Sequence, residues 1–168
     1  MTLHYWGTEK KQLVLSATVE NIPGVLTRIS GLFARRGFNI ESLSVGHTED
    51  PNISRLTVVV NEADHPIEQV EKQLHKLVNV LKINRMEPHT SVARALMLIK
   101  VHAPPAKRVE IFDLVNAFRG KVVDVSRSSI VAEINGSSSK LDAFADLMKP
   151  YGVIEVVRSG KIAMTRGK

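Results

Sequence analysis

From Gln12 to Glu20 apolar and polar residues alternate, and Leu13, Leu15, Ala17 and Val19 fall on one side, the period of a strand with one buried face. The alternation breaks at Asn21-Ile22-Pro23-Gly24. Val25, Leu26, Ile29, Leu32 and Phe33 then recur at helical spacing; Pro23 is tolerated at the start because its missing N–H would have had no intrahelical partner. Gly37 supplies a left-handed stop. Strands are expected at about 39–46 and 54–60, joined by the polar Thr48-Glu49-Asp50-Pro51-Asn52 loop. Asp64 then caps a helix with the stripe Ile67, Val70, Leu74, Leu77 and Val78, and a last strand follows at 80–86.

The same order recurs. A strand at 95–102 precedes a helix at about 106–119, with Ile111, Leu114, Val115 and Phe118 on one side and Gly120 marking its end. Strands at 121–126 and 129–134 follow, then a helix begun by Ser137-Ser138-Ser139 that carries Leu141, Phe144, Ala145 and Met148, then a strand at 153–159. Two βαββαβ runs imply an α+β chain of two ferredoxin-like units, each an antiparallel sheet with both helices on one face. Apolar periodicity is lost over 87–93, so the expected domains are 1–88, with its core from about residue 11, and 89–168.

A chain of 168 residues with 43% hydrophobic composition has no apolar run long enough to span a bilayer, so no membrane segment is expected. The start, MTLHYWGTEKK, has neither an apolar signal core nor a small-residue cleavage site, and there are no cysteines; a cytoplasmic home is the expectation. The formal charge of +6 lies entirely in residues 89–168, which hold 13 Lys/Arg against 7 Asp/Glu. Those cations are dispersed, and no helix-turn-helix or RNA-binding motif accompanies them. A solvated surface or a face for an acidic partner protein is therefore expected rather than a nucleic-acid groove.

Catalytic patterns are scarce. The six histidines, at 4, 47, 65, 75, 89 and 102, form no HxxxH or HExxH pair, so no metal site is expected. Asp142 and Asp146 lie one helical turn apart but off the apolar stripe, as residues of a solvated face do. Glycines 24, 31 and 37 form neither a dinucleotide fingerprint nor a phosphate loop, and no GxSxG elbow accompanies the serines. No catalytic residue is assigned. The Asn21 to Leu26 turn has two readings on its residues alone: a simple closure of the chain, or a cradle for a small amino acid. In the second, helix N–H groups face a carboxylate and asparagine oxygens face an ammonium. Arg35-Arg36 either meet a partner carboxylate or favour the helix dipole.

The segments NIPGVL (21–26), FARRGFNIESLSVG (33–46), EKQLHKLVNVLK (71–82), RALMLIKV (94–101), FRGKVVDVS (118–126) and RSGKIAM (158–164) resemble the ACT-domain family of small regulatory subunits of acetolactate (acetohydroxyacid) synthase, over roughly residues 11–167. The resemblance implies a non-catalytic subunit that forms a homodimer through its ACT domains and binds valine or a related branched-chain amino acid at the dimer interface. It further implies association with the large catalytic subunit, which the small subunit activates and places under feedback inhibition. Effector residues are then Asn21, Gly24, Val25 and Leu26 from one chain with Asn39 and Ile40 from the other, although Val25, Leu26 and Ile40 are equally suited to a core. No cofactor is expected in this chain; thiamine diphosphate, a divalent metal and FAD are expected in the catalytic partner. A free-standing amino-acid sensor acting on transcription is the alternative.

Overall fold

The computed structural model describes residues 12–61 and 66–167, so the expected Asp64 cap and the His4-Tyr5-Trp6 extension lie outside the described residues. Among them the chain forms two compact units, one of residues 12–92 together with 160–167 and one of residues 93–159.

The first unit runs β1 (Gln12–Glu20), α1 (Val25–Arg35), β2 (Ile40–His47), β3 (Ile53–Asn61), α2 (Ile67–Leu74), β4 (Val80–Arg85). Its sheet has the order β2-β3-β1-β4 with antiparallel neighbours, so β2 and β4 are the edges. Register pairs Leu13 with Val60, Leu15 with Val58 and Ala17 with Leu56, which puts one apolar row on a single face. Ile29, Leu32 and Phe33 of α1 and Val70 and Leu74 of α2 bury against that row. Burying a side chain of this size stabilises the fold by about 1.5–3 kcal/mol. Helix α1 stops as expected. Gly37 takes φ 71°, the Phe38 N–H donates to the Phe33 carbonyl at 3.0 Å, and the two rings meet edge to face at 5.7 Å.

Helix α2 is shorter than its stripe suggested. It ends at Leu74, and the N–H groups of Lys76, Leu77 and Val80 each donate to the carbonyl three residues back. This tight turn half-buries Leu77 but leaves Val78 85% exposed, outside the expected stripe.

The second unit comprises β5 (Ser91–His102), α3 (Arg108–Ala117), β6 (Lys121–Val125), β7 (Ser129–Gly136), α4 (Ser138–Met148) and β8 (Val153–Arg158), with sheet order β6-β7-β5-β8. Met97, Ile99 and Val101 on β5 meet Ile134, Ala132 and Ile130 on β7, and Ile111, Val115, Leu141, Phe144 and Met148 cover them. Ser137 caps α4 by accepting the Lys140 N–H on its hydroxyl. The face of α4 that carries Asp142 and Asp146 is solvated as expected, with the two side chains 41% and 66% exposed, and both are paired. Asp142 accepts from the Arg158 guanidinium, whose side chain is only 7% exposed, whereas Asp146 makes an exposed pair with Lys149.

The expected boundary at 88/89 falls in the loop between β4 and β5, and β5 begins at Ser91, earlier than alternation from residue 95 suggested. The cause is a strand that apolar periodicity did not reveal, β9 (Ile162–Thr165), in a tail that packs with the first unit. The Arg166 N–H donates to the Thr90 carbonyl at 2.8 Å, its Nε donates to that of Ser91, and the Lys161 N–H donates to the Ser42 hydroxyl. Gly160 lies so close to Leu43 that a Cβ would sit 2.3 Å from the Leu43 carbonyl oxygen. Among the described residues no helix is long and apolar enough to cross a membrane.

Candidate functional site

The turn after β1 is tied to the β2–β3 loop. The Asn21 N–H donates to the Asn52 carbonyl at 2.7 Å and Asn21 Nδ2 to the Pro51 carbonyl at 2.9 Å. Gly24 follows with φ 85°, a left-handed conformation, and a Cβ there would meet no atom within 4 Å. It is the residue before α1, whose first turn carries no acidic side chain to offset the positive end of the helix dipole.

Beside this turn lies a recess of about 110 Å³, lined by Val19, Glu20, Asn21, Ile22, Val25, Leu26, Ile29, Val45, Ser54 and Leu56. Its walls come from the end of β1, the start of α1 and the adjoining ends of β2 and β3. Ile22, Leu26 and Val45 are each nearly half exposed at its mouth. The lining is chiefly apolar with one carboxylate, that of Glu20, which accepts from Asn79 Nδ2. Asn79 is itself held by Arg28 of α1, so the polar side of the recess is braced. An apolar hollow of this volume accommodates a small branched hydrocarbon group, while a carboxylate finds its electrostatic complement at the helix start.

Of the six residues expected from the sequence, Asn21, Val25 and Leu26 line this recess and Gly24 adjoins it through the chain. Asn39 and Ile40 do not reach it within one chain: they lie at the start of β2, whereas the recess touches β2 near its end at Val45. Val25 is buried and Ile40 packs against the same core, so both are core residues within the protomer, while Leu26 is exposed. Sequence reasoning missed Ile22, Val45, Glu20 and Ser54. Ile22 carried a signal, an apolar residue inside a turn where neither strand nor helix period asks for one. Val45 carried a subtler one: it shares a face with core-facing Leu56, its register partner on β3, yet remains uncovered at the sheet edge.

Among the described residues no group of three or more His, Asp or Glu side chains gathers to hold a metal ion. Comparison with known proteins bears on the whole chain. Residues 15–82 match the family described as "AHAS small subunit-like ACT domain", and residues 94–167 match that described as "Small subunit of acetolactate synthase". The acetolactate synthase small subunit of Mycolicibacterium smegmatis is 51% identical over 153 residues, covering 91% of this chain and 90% of that one. That of Bacillus subtilis is 47% identical over 155 residues, covering 92% and 90%. The crystal structure of the acetolactate synthase small subunit from Thermotoga maritima superposes with a TM-score of 0.85 at 45% identity, covering 94% of this chain and 99% of that one. Both ferredoxin-like units and the order in which they follow one another are therefore those of a known set of proteins, and the chain belongs to the acetolactate synthase small subunit family.

Proposed function

We propose that this chain is the regulatory subunit of an acetolactate synthase. It pairs through its N-terminal ACT domain, takes valine or a related branched-chain amino acid between two copies, activates the large catalytic subunit and confers feedback inhibition. The observation that carries this reading is the apolar recess beside an uncompensated helix start, in a chain of this family.

The sheet order supports a site shared between copies. Strand β2 is an edge of its sheet. Antiparallel pairing of β2 with β2 of a second copy about a twofold axis sets the start of one strand beside the end of the other. Asn39 and Ile40 of the second copy then lie next to Val45 and the recess. In that arrangement the ligand's carboxylate meets the start of α1, its ammonium meets the Oδ1 atoms of Asn21 and Asn39 with Glu20 nearby, and its side chain enters among Ile22, Leu26 and Val45.

The chain supplies no catalytic group and no cofactor. Thiamine diphosphate, a divalent metal and FAD belong to the catalytic subunit, and the cytoplasm is the compartment of both. The unit of residues 12–92 with 160–167 acts as the effector domain, and residues 93–159 form the second domain. An effector bound between copies changes turnover only through unequal affinity for the active and inhibited arrangements of the complex.

The test is to mix the full chain with its cognate large subunit and follow pyruvate consumption with and without valine. The chain alone is silent, the mixture turns over faster than the large subunit alone, and valine lowers that rate. Absence of stimulation by saturating folded chain overturns the proposal.

A further inference from the structure

The second unit, residues 93–159, holds 10 Lys/Arg against 7 Asp/Glu, half of the chain's surplus positive charge, and four of these cations are neutralised or engaged. Arg158 pairs with Asp142, Lys149 with Asp146 and Lys107 with Glu110, while Arg108 holds the carbonyls of Ala103, Ser126 and Arg127. Three others converge without any acid. Arg94, Arg119 and Lys140 line two adjoining hollows of about 390 and 330 Å³ that share Arg119 and Lys140, with Asn135, Gly136 and Ser137 completing the wall; no carboxylate lines either. Arg94 Nη1 donates to the Ala93 carbonyl and Lys140 Nζ to that of Asn135, neutral partners that leave both charges uncompensated. Among the described residues the Arg119 side chain makes no hydrogen bond or ion pair.

The backbone of Arg119 is the one non-glycine among the described residues with positive φ, 53°. Glycine is the usual occupant of such a position after a helix. The next residue, Gly120, has no latitude to be anything else, because a Cβ there would lie 2.0 Å from Ile134 Cδ1 and 2.9 Å from the Glu133 carbonyl oxygen. The turn therefore keeps glycine where space demands it and places an arginine where backbone conformation disfavours one, and that arginine faces the acid-free recess. Observed strain of this kind is a pointer to function rather than to stability.

We propose that the recess of Arg94, Arg119 and Lys140 binds a small, multiply charged oxyanion, a phosphoryl compound or a polycarboxylate. Two guanidinium forks offer paired donors to planar or tetrahedral oxygens, and the lysine adds a mobile point charge. An occupant relieves the mutual repulsion of three unpaired cations.

The test is isothermal titration of the full chain at low ionic strength with pyrophosphate, with citrate, and with sorbitol as a neutral control. Saturable binding of pyrophosphate, citrate or both supports the site, and which of the two binds more tightly identifies the phosphoryl or the carboxylate source. That binding weakens as salt is added. Arg119→Gly is the informative variant, because glycine suits φ 53° and the fold is retained while the guanidinium is lost. Arg119→Gly and Lys140→Gln each raise the dissociation constant by about tenfold or more, the loss of a charge-assisted hydrogen bond. Arg127→Gln, which removes the same charge outside the recess, leaves it unchanged. Absence of saturable binding with both anions overturns the proposal. So does an Arg119→Gly protein, folded by its thermal transition, that binds like the parent, or an Arg127→Gln protein that loses as much affinity as the recess variants.

Discussion

Substitution of Gly24 separates backbone strain from effector chemistry. Its φ of 85° is left-handed, and a Cβ built there touches nothing within 4 Å, so the change is not a steric one within the protomer. Gly24→Ala therefore loses only the backbone term, about 1–2 kcal/mol for an L-residue in that conformation. Gly24→Asp meets the same term but recovers part of it. Asp tolerates the left-handed region better than Ala, and its carboxylate sits before a helix whose first turn has no acid, a gain of about 0.3–1 kcal/mol. The aspartate variant should thus be the more stable of the two. Effector binding should run the other way. Two carboxylates about 5 Å apart at an effective dielectric constant of about 20 repel by about 3 kcal/mol, roughly a hundredfold in dissociation constant. Valine titration of the reconstituted enzyme, run beside thermal unfolding and a mass measurement for each variant, gives both orders. If a folded, dimeric Gly24→Asp protein responds to valine as the alanine variant does, the ligand's carboxylate does not lie at the start of α1.

Asn21→Ala should raise the valine dissociation constant about tenfold to a hundredfold through loss of a hydrogen bond to the ammonium, with activation of the large subunit retained; unchanged valine inhibition counts against the site. Its stability cost should stay near 1 kcal/mol, since the side chain also donates to the Pro51 carbonyl but from an exposed position. Gly120→Ala should destabilise the second unit by about 1–3 kcal/mol through overpacking against Ile134 Cδ1, and Ile134→Val, which removes that atom, should restore part of the loss; strict additivity in the double variant refutes the contact. Tyr151 should titrate at about 12, above the ordinary phenol, because its hydroxyl donates to the Glu110 carboxylate, which the same bond and then Lys107 hold below its ordinary range. The neutral phenol's contribution to stability is complete below its unfolded value near 10 and is lost as pH rises through about 12. The carboxylate's is present above its own unfolded value and is lost as pH falls. Glu110→Gln should bring the Tyr151 titration, read by NMR, back toward 10, and an unmoved value refutes the bond.

Periodicity exposed what depends on one face of one element. Leu13 to Val19 and Ile29 to Phe33 announced β1 and α1 because burial on a single side imposes period 2 or 3.6, and Gly37 announced the cap because the turn needs its φ. What escaped depends on distant chain. Ile162 to Thr165 is short and mostly exposed, with only Ala163 clearly buried, so β9 has almost no apolar signature of its own. Its place is set by Arg166 at the Thr90 carbonyl and by Gly160 against Leu43, partners more than 70 positions away in sequence. Gly120 marked the end of α3 as expected, for a reason that also lies in distant chain. The left-handed φ there belongs to Arg119, and Gly120 is glycine because Ile134 leaves no room for a side chain.

The recess shows the same limit on a functional scale. Asn21, Val25 and Leu26 were legible because they sit together in a turn whose residue types are unusual, and the chain needs no folding to bring them within reach of one another. Val45 and Ser54 join them only through the β2–β3 register, which pairs Val45 with Leu56 and His47 with Ser54 and cannot be counted off until both strands are placed. Asn39 and Ile40 require a step more, because the start of β2 does not reach this recess within one chain and joins it only in the β2 pairing proposed above. A disulfide makes the point testable without any ligand. In an antiparallel β2 pair with full overlap, residue 40 of one copy faces residue 47 of the other, so Ile40→Cys combined with His47→Cys should cross-link two chains on mild oxidation in a protein with no native cysteine. Either change alone should leave the chains separate on a non-reducing gel. Cross-linking by one of the single variants as efficient as that of the pair would place a different register, or a different edge, at the interface, and with it would remove Asn39 and Ile40 from the effector site.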